Sequence, residues 1–366
     1  MGAFDKEKNR LILIAVSITL LVVILVVFCC NFSANKKSET DSKKEQIVAT
    51  VGDMKVKEAE FRFFSTILML EEEETVKNFY SKSDISAKDE LKKYTSDFTK
   101  EYMIRVLEAK SAGVTLTEDE KAVVAGQIAD DYETVTKTEN SDMTEEEFYK
   151  YYYGISKADY TKFWENWYLI DKHTKACEAN ADVSEESQRM AFEEYYDVLF
   201  TYHASVIPFV IDSTNTAETQ KQNAEAALTR LEGGENFDAI FKEYNTQGNQ
   251  APLSGETKIH PADKDKYSDV YDWLRVNPTG NAGIVETQYA IYVVRLDEIS
   301  DFDTLLNSET MLKWTRSFMA NKQLEDILSS EKYKYVIDEK VYNAIDLSDV
   351  VDMAFEYWGN IWENEK

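Results

Sequence analysis

Read by the spacing of its apolar positions, the chain falls into one unbroken apolar run, a series of helix-period segments, and one stretch that mixes strand and helix periods. Leu11 to Asn35 holds no charged residue, and Leu11–Cys30 is almost wholly aliphatic. Twenty helical residues at about 1.5 Å each span roughly 30 Å, the thickness of a hydrocarbon core. The bulky Val27-Phe28-Cys29-Cys30-Asn31-Phe32 leaves no small-residue cleavage site, and the run is longer than the apolar core of a cleaved leader. The expectation is an uncleaved signal anchor at 11–32, with a cytoplasmic stub at 1–10 and a polar tether at 33–46. Adjacent Cys29 and Cys30 are read as apolar thiols of that helix, since their bulky neighbours fit an acylation site poorly.

From residue 47 the periods are mostly helical. Ile47–Val56 predicts a short hairpin turning at Gly52-Asp53. A helix starts at Lys57 with Phe61, Phe64, Ile67, Leu68 and Leu70 on one face. The acidic run Glu71–Glu74 points around that helix and is expected to be solvated. Leu91–Ala112 predicts a second helix, capped at Gly113. Thr117-Glu118-Asp119-Glu120 and Thr144-Glu145-Glu146-Glu147 are capping-box signatures that open two more. Ser156–Cys177 and Ser184–Tyr196 continue the series. After Ser300 the helical period returns over Phe302–Leu328, then Tyr333–Ile337 predicts a strand and Asp346–Trp362 an amphipathic helix expected to dock on the body or a partner.

Between Phe200 and Ser300 the period changes. Ala204–Ile211 predicts a strand, and Glu218–Tyr244 a long helix broken at Gly233-Gly234. Asn245–Lys258 is expected to be a polar loop, followed by a helix through Val270, Tyr271 and Leu274. Asn277-Pro278-Thr279-Gly280 predicts a turn with proline at its second position. Gly283–Thr287 and Tyr289–Leu296 predict two closing strands.

Composition narrows the function. The 366 residues carry 41 Lys+Arg against 68 Asp+Glu, a formal net charge of −27, which argues against nucleic acid as a partner. Aromatics make up 13% and prolines number 4, so the chain is expected to be folded and helix-rich. Three cysteines, two of them adjacent, offer no disulfide framework. No phosphate-loop, nucleophile-elbow, zinc-helix or paired C-x-x-C motif occurs, and His173, His203 and His260 are far apart. No metal and no cofactor are expected. Tyr149, Tyr151, Tyr152 and Tyr153 are spaced too tightly for one buried face. Some are therefore expected at the surface, where tyrosine offers large contact area at low entropic cost, and all four are candidates for binding a polypeptide. The alternative is that the aromatic surplus fills the core.

Three phrases within 200–300 resemble the parvulin family of peptidyl-prolyl isomerases. Ala204-Ser205-Val206-Ile207 stands where that family writes A-S-H-I, Glu243-Tyr244-Asn245 is similar to its E-Y-S, and Val285–Leu296 is similar to V-x-T-Q-F-G-Y-H-I-I-K-L. The flanking helices resemble the PrsA- and SurA-type extracytoplasmic foldases. Val48-Ala49-Thr50-Val51-Gly52-Asp53 is similar to their V-A-x-V-N-G, and Glu108–Thr117 to E-A-K-x-x-G-I-x-V-T. The resemblance implies an α+β protein: a transmembrane helix, then a mainly helical chaperone domain built from 47–198 and 301–345, with a parvulin-like α/β domain inserted at 199–300. A final helix at 346–366 lies outside the family pattern. The strand at 333–337 would return to the N-terminal hairpin.

The resemblance also implies a site. The family's two groove histidines fall on Val206 and Tyr292, its third polar position falls near Gln247, and its G-G-D-L loop shrinks to Ser254-Gly255-Glu256. Groove candidates are Val206, Gln247, Tyr271, Leu274, Tyr289 and Tyr292, with no catalytic residue assigned. The implied function is that of a membrane-anchored foldase, its body outside the cytoplasm, binding unfolded or partly folded secreted polypeptides with isomerase activity weak or lost. An active isomerase with a remodelled groove, or a dedicated partner of one envelope protein, are the alternatives. A homodimer is allowed for.

Overall fold

The computed structural model describes residues 46–71, 84–139, 142–245 and 251–364. The expected stub, the anchor and all but the last residue of the tether lie outside them, as do Glu72–Glu74 and Gln247. Among the described residues no helix is long and apolar enough to cross a membrane. In chain order the elements are β1 (Ile47–Val51), β2 (Met54–Lys57), α1 (Glu58–Glu71), α2 (Asp84–Ser111), α3 (Glu118–Glu139), α4 (Glu145–Tyr152), α5 (Lys157–Ala179), α6 (Glu185–Glu194), α7 (Tyr196–Leu199), β3 (Thr201–Val210), α8 (Ala217–Glu232), α9 (Phe237–Tyr244) and β4 (Gly255–Ile259). There follow α10 (Ser268–Val276), β5 (Ala282–Glu286), β6 (Ala290–Ser300), α11 (Phe302–Leu305), α12 (Glu309–Ser329), β7 (Tyr335–Ile337), α13 (Glu339–Ala344) and α14 (Ser348–Asn364). The fold is α+β and mostly helical. It divides into two compact units, one holding the described residues up to Ala176 and from Leu324 onward, the other Cys177–Gln323.

In the first unit β1 and β2 form the expected hairpin, with Gly52 at φ 58° in its turn. β7 pairs antiparallel with the other edge of β1, Thr50 opposite Val336, so distant parts of the chain share a three-stranded sheet in the order β2-β1-β7. α1 is buried more widely than its predicted face. Phe61, Phe63 and Phe64 are all in the core, and the Phe63 ring meets Phe163 edge-on at 5.0 Å. Both capping boxes form. Thr117 N–H donates to Glu120 at 2.7 Å, and Glu120 N–H to Thr117 Oγ1 at 3.2 Å. Thr144 and Glu147 repeat the exchange. α2 ends with Gly113 at φ 75° and Val114 N–H donating to the Ala109 carbonyl, as a left-handed helix cap requires. α14 docks on α1: Leu347, Val350, Val351 and Ala354 are buried, and Trp358 Nε1 donates to the Met69 carbonyl at 3.0 Å.

The second unit is built on an antiparallel sheet, β4-β3-β6-β5, covered on both faces. One face packs Ile207, Phe209, Ile291 and Val293 against Ala224, Ala227 and Leu231 of α8 and Phe237 and Ile240 of α9. The other packs Ala204, Val206, Tyr292 and Val294 against Val270, Tyr271 and Leu274 of α10. A separate cluster of Phe192, Tyr195, Leu199, Phe302 and Met311 joins the helices that precede and follow the sheet.

Four expectations need correction here. Asn245–Lys258 is not wholly loop: β4 occupies Gly255–Ile259 and pairs with β3, Val206 opposite Gly255. As an edge strand facing solvent it keeps a polar sequence, which hides it from an apolar-period reading. The turn hydrogen bond runs from Asn281 N–H to the Pro278 carbonyl, with Gly280 at φ 88°, so Pro278 holds the first position and glycine the third. The predicted helix Phe302–Leu328 breaks at Asn307, whose φ is 62°. Gln188 fixes the break, accepting from Asn307 N–H at 2.8 Å and donating to its Oδ1 at 3.0 Å. α13 was not expected; Asp338 caps it through Lys340 and Val341 N–H.

Candidate functional site

Val206 and Tyr292 come from the two central strands. In the β3–β6 register Val206 faces Val294 and Pro208 faces Tyr292, so the two side chains project from the same face as diagonal neighbours, with Cα atoms about 7–8 Å apart. Both are buried in one cluster with Tyr271 and Leu274. α10 covers this face because Val270, Tyr271 and Leu274 recur at helical spacing on a nine-residue helix. Its distance from the sheet is set by Trp273 lying against Gly283.

The cluster's polar equipment is phenolic. Burial raises the Tyr292 hydroxyl above its ordinary pKa, with a further push from Tyr267. Burial likewise raises Tyr202, reinforced by Tyr271 and Tyr196, and Tyr271, reinforced by Tyr196, Asp197 and Asp272, with Arg275 opposing both shifts. These phenols therefore stay protonated at neutral pH in an apolar setting. A ladder of aromatic rings, edge-to-face at its first two steps and tilted at the third, leads from this cluster toward the surface. Tyr271 to Tyr202 is 5.7 Å, Tyr202 to Phe200 5.0 Å, and Phe200 to the exposed Tyr196 5.1 Å.

The remaining groove candidates are Gln247 and Tyr289. Gln247 falls outside the described residues. Tyr289 belongs to the β5–β6 hairpin, where Thr287 Oγ1 donates to the Ala290 carbonyl and closes the turn. It is 71% exposed and stands outside the buried cluster that holds Val206 and Tyr292.

Two of the histidines are tied into hydrogen bonds within the second unit. His203 Nε2 hydrogen-bonds Ser300 Oγ at 2.9 Å, and His260 Nδ1 bonds Thr201 Oγ1 at 3.1 Å. His173 is acted on by Glu108 and Arg105, and burial lowers its pKa. Among the described residues no cluster of three metal-ligating side chains occurs. On the opposite sheet face Ser205 Oγ donates to Asp297 at 2.7 Å and accepts from Arg295 at 3.2 Å. That network ties β3 to β6, with the guanidinium 5.3 Å from the Phe237 ring centre.

The tyrosine run of the first unit divides sharply. Tyr149 and Tyr153 are core residues, their rings 4.8 and 4.5 Å from Tyr160 of α5. Tyr149 also donates to the Ile128 carbonyl at 2.8 Å. In the packed structure neither presents a surface to a client, which corrects the expectation that places all four among the candidates. They sit four residues apart on one side of α4, and a turn at Gly154 (φ 71°) directs the chain back over them. Tyr152 is half-buried against Phe148, at 4.7 Å. Tyr151, 49% exposed, alone keeps an open face.

One residue in this cluster was missed. Asp131 of α3 is 4% exposed, and its Oδ1 has no hydrogen-bond partner. Burial raises its pKa to about 7, offset in part by the Tyr160 hydroxyl and reinforced by Asp130. The sequence held the signal: Val124, Ile128, Asp131 and Val135 fall at i, i+4, i+7 and i+11, so Asp131 lies on the apolar stripe.

No protein-family model and no curated protein matches the chain. Among solved structures, PrsA from Bacillus subtilis is 18% identical over 86% of this chain and 93% of its own, with a TM-score of 0.24. The foldase PrsA from Streptococcus pneumoniae is 15% identical over 73% and 87%, with a TM-score of 0.25. The peptidylprolyl isomerase PrsA from Bacillus cereus is 14% identical over 85% and 99%, with a TM-score of 0.27.

Proposed function

We propose that the chain is a membrane-anchored extracytoplasmic chaperone of the foldase type, whose parvulin-like unit binds unfolded secreted polypeptide with little or no bond-rotation chemistry. One observation carries the reading. The two strand positions that the resemblance assigns to groove histidines lie side by side on one sheet face, but they hold a fully buried valine and a buried tyrosine. Turning an X-Pro bond crosses a barrier of about 20 kcal/mol, and a groove lowers it by holding hydrogen-bond donors against the twisted amide. Val206 supplies packing alone and Tyr292 one protonated hydroxyl. Support for client binding comes from exposed aromatic side chains on a chain of net charge −27, which repels its own copies while offering apolar contacts. The apolar run at 11–32 supports the anchor and, with the resemblance, an orientation that places residues 47–366 outside the cytoplasm.

The test is a pair of assays on the full-length protein. Aggregation of several unrelated unfolded clients is expected to be suppressed, while isomerisation of a prolyl tetrapeptide stays at the uncatalysed rate for both wild type and Tyr292→Phe. Catalysis that Tyr292→Phe abolishes would replace this reading with that of an active isomerase. Protection of one client alone would replace it with that of a dedicated partner.

A further inference from the structure

Asp131 sits where ionisation and aromatic packing oppose each other. The elements around it contribute Tyr149 and Tyr153 (from α4 and its end) and Tyr160 from α5, with Trp164 edge-on to Tyr160 at 6.1 Å and Phe63 of α1 at 5.7 Å. The charged groups acting on the cluster are Asp130 on Asp131 and Glu145 on Tyr149; none of the groups acting on Asp131 is cationic. Tyr160 donates its hydroxyl hydrogen to Tyr153 at 3.3 Å. Protonated Asp131 completes that chain by donating to Tyr160. Ionised Asp131 breaks it, because Tyr160 must turn its single proton to the carboxylate and abandon Tyr153. The charge then has one donor, and its Oδ1 has none, in a site only 4% exposed. A buried charge so poorly served is relieved by letting water in.

We infer that Asp131 gates the aromatic cluster: deprotonation loosens α3 from α4 and α5 and exposes Tyr149, Tyr153 and Tyr160 as additional client-binding surface. This regulation rests on the client-binding reading above.

With a closed-state pKa of about 7 and the ordinary 3.8 once open, linkage gives an opening equilibrium that rises about thirty-fold between pH 5.5 and 8.5. The test is hydrogen–deuterium exchange of the full-length chain at those two pH values, corrected for intrinsic exchange. Peptides spanning 118–160 are expected to lose protection about thirty-fold in the wild type and to keep it in Asp131→Asn. Should Asp131→Asn fail to fold, Tyr160→Phe serves instead: it removes the carboxylate's one donor and is expected to enlarge the drop. Equal protection at both pH values, or the same drop in Asp131→Asn, overturns the gate. A parallel measurement follows aggregation of a reduced, carboxymethylated client, whose suppression is expected to rise with pH in the wild type only. If exchange opens but no client is protected at either pH, the client-binding reading fails and the pH-dependent opening stands. If clients are protected equally at both pH values without opening, the gate fails and client binding stands.

Discussion

Replacing Gly283 by alanine tests the contact that spaces α10 from the sheet. A Cβ at this position falls 2.9 Å from Cζ2 of Trp273, 3.0 Å from Nε1 and 3.1 Å from Cε2, where carbon contacts settle at about 3.5–4.0 Å. The overlap of about half an ångström involves three atoms of one rigid ring, and that ring is packed against the cluster holding Tyr271 and Leu274. Gly283 is not among the positive-φ glycines, so alanine meets no backbone penalty. On its own the exchange would favour the folded state by about 0.4–1 kcal/mol. Overpacking costs about 1–3 kcal/mol, so the net expectation is a loss of roughly 1–2 kcal/mol, read as a lower urea midpoint at unchanged slope. Trp273→Ala removes the obstacle, and in that background Gly283→Ala is expected to be neutral or stabilising. The double-mutant cycle should therefore return a coupling of about 1–3 kcal/mol. An equal cost in both backgrounds would refute the claim that the indole sets the spacing.

Three further outcomes are expected. Because the folded Asp131 holds its proton up to about pH 7 while the unfolded one releases it near 3.8, its contribution is greatest below pH 3.8. It falls by about 4 kcal/mol as pH rises to 7, so the stability difference between Asp131→Asn and wild type in urea titrations should grow over that window and level off above it. Tyr151→Ala should weaken client protection without shifting the melting temperature, whereas Tyr149→Ala, which empties a core site, should cost about 3–5 kcal/mol in the same melts. Gln188→Ala leaves Asn307 N–H without its acceptor and should cost about 1–3 kcal/mol in chemical denaturation; Gln188→Glu keeps that acceptor but sets a buried carboxylate against the Val183 carbonyl and Asn307 Oδ1, to which Gln188 Nε2 donates, and should cost more.

What could be read from the sequence depended on whether a residue's neighbours in space were also its neighbours in the chain. The capping boxes at Thr117 and Thr144, the cap at Gly113 and the hairpin at Gly52 are local chemistry, and they were legible. So was the placement of apolar residues on α8, α9 and α10, since period alone assigns a face. Tyr149 and Tyr153 were misplaced because the rings that bury them belong to α5, beyond a turn at Gly154 whose direction no periodicity gives. The break at Asn307 depends on Gln188, 119 positions earlier. β4 was hidden by its edge position, which lets it keep Glu256 and Lys258 exposed. Asp131 was legible in principle: a carboxylate on an apolar stripe contradicts the stripe, and such contradictions mark positions worth testing first.

The pairing of β7 with β1, and of α14 with α1, has a consequence for biosynthesis. A ribosome delivering this chain releases Val48 nearly three hundred residues before Ile337, so the N-terminal sheet waits for its third strand through most of translation. The sheet of Thr201–Ser300 draws only on nearby sequence and can be complete by then. Late closure over such a long loop is slow, and it leaves Met69 and its neighbours bare while the nascent chain is most vulnerable to aggregation. Pulse-labelled chains stalled after residue 330 should accordingly yield a protease-resistant core from the later unit alone.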